Sequence, residues 1–170
     1  IADNCTDNTA QISRKAGAYV YERFNKVQVG KGYALEYLFR HIFEDKGETA
    51  YDGFFVFDAD NIVDRDFVRE MNKMFDTGEY AALTSYRNSV NLADNWVSSG
   101  SALWFIRESR FLNNSRMILG SSCHVGGTGF MFSGSKCPIW ANSRTERIKS
   151  SRLNNIPGLV RNSRRTISSY

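Results

Sequence analysis

Long apolar runs are missing from the 170-residue sequence. No stretch approaches the ~20 residues a membrane-spanning helix requires, and no positively charged leader precedes an apolar segment, so neither a span nor a secretory signal is legible. Cysteine is scarce, and Cys5, Cys123 and Cys137 lack metal-type spacing. That excludes a disulfide framework or a cysteine zinc site as the device organising the chain, and predicts ordinary buried thiols in a reducing compartment. There are two histidines. His41 falls inside a predicted helix and His124 just ahead of a glycine-rich turn, and structural roles are expected for both. The Gly-x-x-x-x-Gly-Lys-Ser/Thr pattern of a P-loop is absent. Acid is nearly absent from the end of the chain: residues 134–170 hold eight basic residues and one acid, Glu146, and carry +7. Residues 1–133 hold 14 basic and 17 acidic residues and carry −3. The net charge of +4 and the pI near 9.0 therefore belong to the tail, and no nucleic-acid partner is expected.

What is present describes a globular chain. An apolar content of 42% and an aromatic content of 14%, over a length suited to one domain, allow a real core. The segment Tyr51-Asp-Gly-Phe-Phe-Val-Phe-Asp-Ala-Asp60 organises the rest. Its run from Phe54 to Phe57 suits a strand buried on both faces, and the run ends at two carboxylates. Residues two apart on a strand share a side, so Asp58 and Asp60 can aim at one point while Ala59 faces away. Convergent carboxylates at a buried strand end are costly unless a cation lies between them. A hard divalent ion, Mg²⁺ or Mn²⁺, with a phosphate-bearing ligand fits that chemistry. The residues alone also allow a solvated turn whose aspartates cap the next helix.

In chain order, the opening Ile1 to Ala10 reads as the turn from a strand into a helix capped by Thr6 or Asp7 and ending near Gly17. A first strand and helix of a βαβ unit are expected upstream of it. A second strand is predicted over 18–23. Gly30-Lys31-Gly32 opens a helix whose apolar residues at 35, 38, 39, 42 and 43 form one stripe, closed by Lys46-Gly47. Open N–H groups and a cation at that start suit a diphosphate, although a flexible turn explains the same residues. Asp64 is read as capping a further helix with Phe67, Val68, Met71, Met74 and Phe75 on its apolar face, ending at Gly78. Residues 80–85 suggest a strand, 88–95 a polar loop, and 96–119 a largely helical, aromatic-rich segment interrupted near Asn113-Asn114. Gly126-Gly127-Thr128-Gly129 then sets a glycine-rich turn, open to close ligand approach, before an apolar strand. The alternation predicts an α/β domain with a largely parallel sheet.

Four blocks in this order resemble the family 2 glycosyltransferases with a GT-A fold: Ala2-Asp3-Asn4-Cys5-Thr6-Asp7, Gly30-Lys31-Gly32-Tyr33-Ala34-Leu35, Phe57-Asp58-Ala59-Asp60, and Gly127-Thr128-Gly129-Phe130. The resemblance covers residues 1 to about 133 and is nearest to bacterial processive or envelope-polysaccharide members. It implies a Rossmann-like, mostly parallel sheet flanked by helices, without its first strand. It also implies transfer of a hexosyl or N-acetylhexosaminyl group from a nucleotide-diphosphate sugar, with UDP the expected nucleotide, to a glycan or lipid-linked acceptor. By the same resemblance Asp3 receives the nucleobase, Lys31 lies near the donor phosphates, and Asp58 and Asp60 hold the metal-bound diphosphate, Asp60 being the direct ligand. Residues Gly127, Thr128 and Gly129 would line the acceptor side of the donor sugar. The metal would be Mg²⁺ or Mn²⁺, and the full-length protein would work at the cytoplasmic face of the membrane.

The chain also departs from the family pattern. The Ala/Pro-rich first turn followed by Asn-Glu, the Thr-Glu-Asp-like motif that supplies the general base, and the Gln-x-x-Arg-Trp motif of processive members are not found, and Glu146 does not stand in such a pattern. A general base is therefore not assigned, and this chain is expected to be weakly active or inactive in transfer. The domain reading is a partial GT-A domain over 1–133 and a basic, Ser/Asn-rich tail over 134–170 that is poorly ordered or out of the family's register. Two rivals remain on the residues: a nucleotide-sugar-binding remnant without turnover, or a haloacid-dehalogenase-like phosphatase using Asp58 as nucleophile, for which the later lysine and acidic pair are unconvincing.

Overall fold

The computed structural model describes residues 1–134 and the backbone of a strand at Leu153–Asn162. It divides into two compact units, Ile1–Tyr51 and Asp52–Tyr170.

The first unit is a small βαβα arrangement: β1 (Ala2–Asp3), α1 (Thr9–Lys15), β2 (Glu22–Arg23) and α2 (Lys31–Lys46). Strands β1 and β2 pair in parallel, Ala2 opposite Glu22 and Asp3 opposite Arg23. Parallel neighbours need a crossover, and α1 supplies it. The polar cluster makes the expected turn into α1, with the Thr9 N–H donating to the Asp7 carboxylate at 3.0 Å and Asn8 at the N-cap. Helix α2 buries Ala34 and Phe39 and stops at Gly47, whose N–H donates to the Phe43 carbonyl at 2.9 Å. His41 is spent inside this helix: its Nδ1 lies 2.8 Å from the Tyr37 carbonyl, an acceptor only, so that nitrogen carries the proton.

The second unit contains β3 (Gly53–Val56), β4 (Asn61–Val63), α3 (Phe67–Phe75), β5 (Ala82–Ser89), α4 (Trp96–Ile106), a π-helical segment (Arg107–Asn113), α5 (Asn114–Ile118), β6 (Phe130–Ser133) and β7 (Leu153–Asn162). Their sheet runs β3-β6-β5-β7-β4. Helices and strands alternate as expected, but pairing is more mixed than the largely parallel sheet predicted. β5 and β7 are parallel, whereas β3–β6, β5–β6 and β4–β7 are antiparallel. The physical reason is β6, which returns after the long helical segment and inserts between β3 and β5 running opposite to both.

The phenylalanine run works on two faces. Phe55 and Phe57 meet the ring of Phe67 edge-on at 5.6 and 5.1 Å, while Phe54 stacks on Phe132 at 5.5 Å across the β3–β6 ladder. Phe67, Met71, Leu83 and Met131 form the buried centre. Phe67 and Met71 stand one helical turn apart, so α3 presents a narrow stripe, and Val68, expected on it, is half exposed. The helical reading of 96–119 resolves into α4, the π-helical segment and α5, with Asn95 capping α4 by accepting the Val97 and Ser98 N–H groups, each at 3.0 Å. Among the described residues no helix is long and apolar enough to cross a membrane. Of the tail, residues 153–162 run as β7, while 135–152 and 163–170, including Cys137 and Glu146, lie outside the described residues.

Candidate functional site

Antiparallel pairing assembles the site in the second unit. The last ladder pair joins Val56 to Phe130, so the carboxyl end of β3 faces the residues leading into β6. Those are the acidic segment and the glycine turn, about 70 residues apart in sequence. The Gly129 N–H donates to the Val56 carbonyl at 2.8 Å, extending the contact one step beyond the strands. With φ near +68°, Gly129 occupies a left-handed conformation that side chains disfavour.

Asp58 and Asp60 stand on a turn rather than on the strand, because the ladder ends at Val56. The Asn61 N–H donates to the Asp58 carbonyl at 3.1 Å and closes that turn. Both aspartates are half-buried and Ala59 points to solvent. A hydrogen-bonded chain fixes the arrangement. The Asp58 N–H donates to Thr128 Oγ1 at 2.8 Å, the Thr128 hydroxyl donates to the Asn61 side-chain carbonyl, and the Asn61 amide donates to Asp60 Oδ1 at 3.2 Å. Each bond polarises the next, and the chain ends on a carboxylate. Thr128 is 3% exposed, so its hydroxyl ties the two turns together. Asn61 went unrecognised in the sequence; its only signal was its place directly after Asp-x-Asp.

Arg87 was also missed. It lies on β5, where the parallel pairing with β7 shifts register between Ser85 and Arg87, the extra residues falling on β7. Ser85 holds β5 to the glycine turn, its N–H and hydroxyl both reaching the Gly129 carbonyl, at 3.1 and 2.6 Å. The Arg87 guanidinium then covers Gly126 so closely that a Cβ there would lie 2.0 Å from Nη2. Its carbon sits 4.9 Å from the centre of the Phe105 ring. Burial holds the Arg87 pKa below the usual guanidinium range, opposed by the charges of Asp58 and Glu108.

The π-helical segment secures the loop before the glycine turn. Asn113, 3% exposed, donates to the His124 carbonyl at 3.0 Å and accepts the His124 N–H at 2.8 Å. His124 thus serves through its backbone while its side chain is exposed. The Cys123 thiol donates to the Asn113 carbonyl at 3.3 Å, and burial pushes its pKa up against the opposing charge of Arg116. Cys5 and Cys123 are free thiols.

In the first unit Asp3 ends β1, and its Oδ1 accepts from Arg23 Nη1 at 2.7 Å and from Asn4 Nδ2 at 3.3 Å. Arg23, 4% exposed, also donates to the Gln28 carbonyl at 2.6 Å. A guanidinium so buried requires such pairing, which in turn fixes the Asp3 carboxylate. Asn4 and Asn25 exchange side-chain and backbone hydrogen bonds at 3.0 and 2.9 Å, joining the ends of the two loops. Lys31 is the exposed first residue of α2, directly after Gly30.

Among the described residues no group of three or more His, Cys, Asp or Glu side chains could hold a metal on its own. The donor set at Asp58 and Asp60 is nevertheless hard and all-oxygen. It suits an ion such as Mg²⁺, which usually takes one or two carboxylates and completes its shell with water and phosphate oxygens.

Residues 1–137 match the glycosyl transferase family 2. No curated protein matches the chain significantly. The mixed α/β architecture agrees with the GT-A domain that the resemblance implied. Because the match spans most of the 170 residues and includes all four sequence blocks, the protein belongs to the family 2 glycosyltransferases.

Proposed function

We propose that this domain binds a UDP-linked sugar and serves inverting transfer of a hexosyl or N-acetylhexosaminyl group to a glycan or lipid-linked acceptor in polysaccharide assembly. Asp58 and Asp60 hold Mg²⁺ or Mn²⁺ with the donor diphosphate. Asp3 receives the nucleobase, Lys31 lies toward the phosphates, and residues 127–129 line the sugar. When bound, the metal offsets the charge of the departing nucleoside diphosphate. In the full-length protein this domain works in the cytoplasm at the inner face of a bacterial membrane, where nucleotide sugars are available. The observation that carries this reading is the hydrogen-bonded chain from the Asp58 N–H through Thr128 and Asn61 to the Asp60 carboxylate, which ties the acidic turn to the glycine turn. Inverting transfer also needs a base on the acceptor hydroxyl, and after residue 133 Glu146 is the one acid in the sequence, so the 170-residue chain alone transfers sugar weakly or not at all.

Calorimetry of UDP binding with and without Mn²⁺ tests the donor site. Wild-type chain should bind in a metal-dependent manner, and Asp60→Ala should lose most of that binding. Metal-independent binding that Asp60→Ala leaves unchanged, or no binding by wild type, would overturn the assignment.

A further inference from the structure

Of the side chains around the glycine turn, Arg87 is the least explained by packing. Its guanidinium is half-buried, a costly position for a cation. Among the described residues, no acceptor takes a hydrogen bond from it. Glu108, whose charge it feels, is engaged by Arg116 at 3.3 Å. Yet its position is defined by two local features: the Phe105 ring, and a glycine at 126 where a Cβ would collide with it. Gly126 is two residues from Thr128, whose hydroxyl receives the Asp58 N–H. A planar cation with several donors is thereby held in place beside the acidic turn, which is the arrangement that recognises phosphate oxygens.

We propose that Arg87 is an anion-binding residue of this site and that its guanidinium takes the diphosphate of the nucleotide ligand, with Gly126 present to admit it. This rests on the nucleoside-diphosphate reading given above. A purely structural Arg87, propping the loop and balancing Asp58, would not distinguish a ligand with phosphates from one without.

The experiment compares UDP, uridine and inorganic pyrophosphate as ligands of the full 170-residue chain in Mg²⁺, for wild type, Arg87→Lys, Arg87→Gln and Gly126→Ala. Losing charge-assisted hydrogen bonds should weaken UDP and pyrophosphate binding by roughly 10- to 100-fold in Arg87→Gln, with uridine affinity unchanged. Arg87→Lys should fall in between, and Gly126→Ala should repeat the selective loss by displacing the guanidinium. Equal losses for UDP and uridine, or none for UDP, would overturn the proposal. If Arg87→Gln does not fold, the UDP-to-uridine ratio in Arg87→Lys decides. Should wild type bind no UDP, the donor reading fails, and pyrophosphate then decides for Arg87 alone: binding lost in Arg87→Gln supports the anion site, and no binding by wild type overturns it.

Discussion

Thr128 shows how one buried hydroxyl can set the geometry of a site. It accepts from the Asp58 N–H and donates to the Asn61 side chain, so removing it breaks two hydrogen bonds together. Thr128→Val keeps the volume and deletes the hydroxyl, and should cost about 1–3 kcal/mol by breaking both bonds. Thr128→Ser keeps the hydroxyl and gives up a methyl, a loss of about 0.8 kcal/mol. Urea unfolding of the two variants checks the order, and equal stabilities would show that the hydroxyl does not hold the turn. The sequence made Asp58, Asp60 and the glycine turn legible because their types are unusual at the end of an apolar run. Asn61 and Arg87 were not legible. An asparagine after two aspartates resembles any polar turn, and Arg87 meets Phe105 and Gly126, residues 18 and 39 positions further on that no local pattern ties to it.

Among the elements, the segment from Trp96 to Ile118 was legible as helix with a break near Asn113, but the nature of the break was not. Periodicity registers the disturbance; it does not reveal that the chain continues as a π-helical turn, a feature that often marks functional regions. The reason lies outside the element: Asn113 is committed to both backbone groups of His124, eleven residues on. Asn113→Ala should therefore loosen residues 123–129 without melting the helices. Losing these two bonds should speed amide exchange at His124 roughly tenfold or more, each bond contributing about 0.5–1.5 kcal/mol. Alkylation of Cys123, whose thiol is held by the same turn, should quicken as well. Exchange at α3 amides provides the control, and acceleration there by an equal factor would indicate global destabilisation and refute a local clamp.

Across the molecule, the succession of strands and helices followed from apolar periodicity, whereas the order of strands in the sheet did not. The β3–β6 ladder joins Gly53 to Ser133, and nothing in either segment names the other as its partner. Composition also gave no sign of the division at Tyr51, because Ile1–Tyr51 and Asp52–Tyr170 are set apart by the contacts each makes within itself. That division has a measurable consequence. Phe67 is fully buried at the centre of the second unit, and its replacement by alanine should cost about 3–5 kcal/mol, a large share of the 5–15 kcal/mol typical of a domain. Among the described residues the tryptophans are Trp96 and Trp104, both on α4 of the second unit, so their fluorescence follows that unit. Phe67→Ala should lower the urea midpoint of the tryptophan transition while leaving amide exchange in α2 of the first unit unchanged. If α2 exchange accelerates by the same free energy, the two units unfold as one cooperative structure, and the division at Tyr51 is one of contacts without being one of stability.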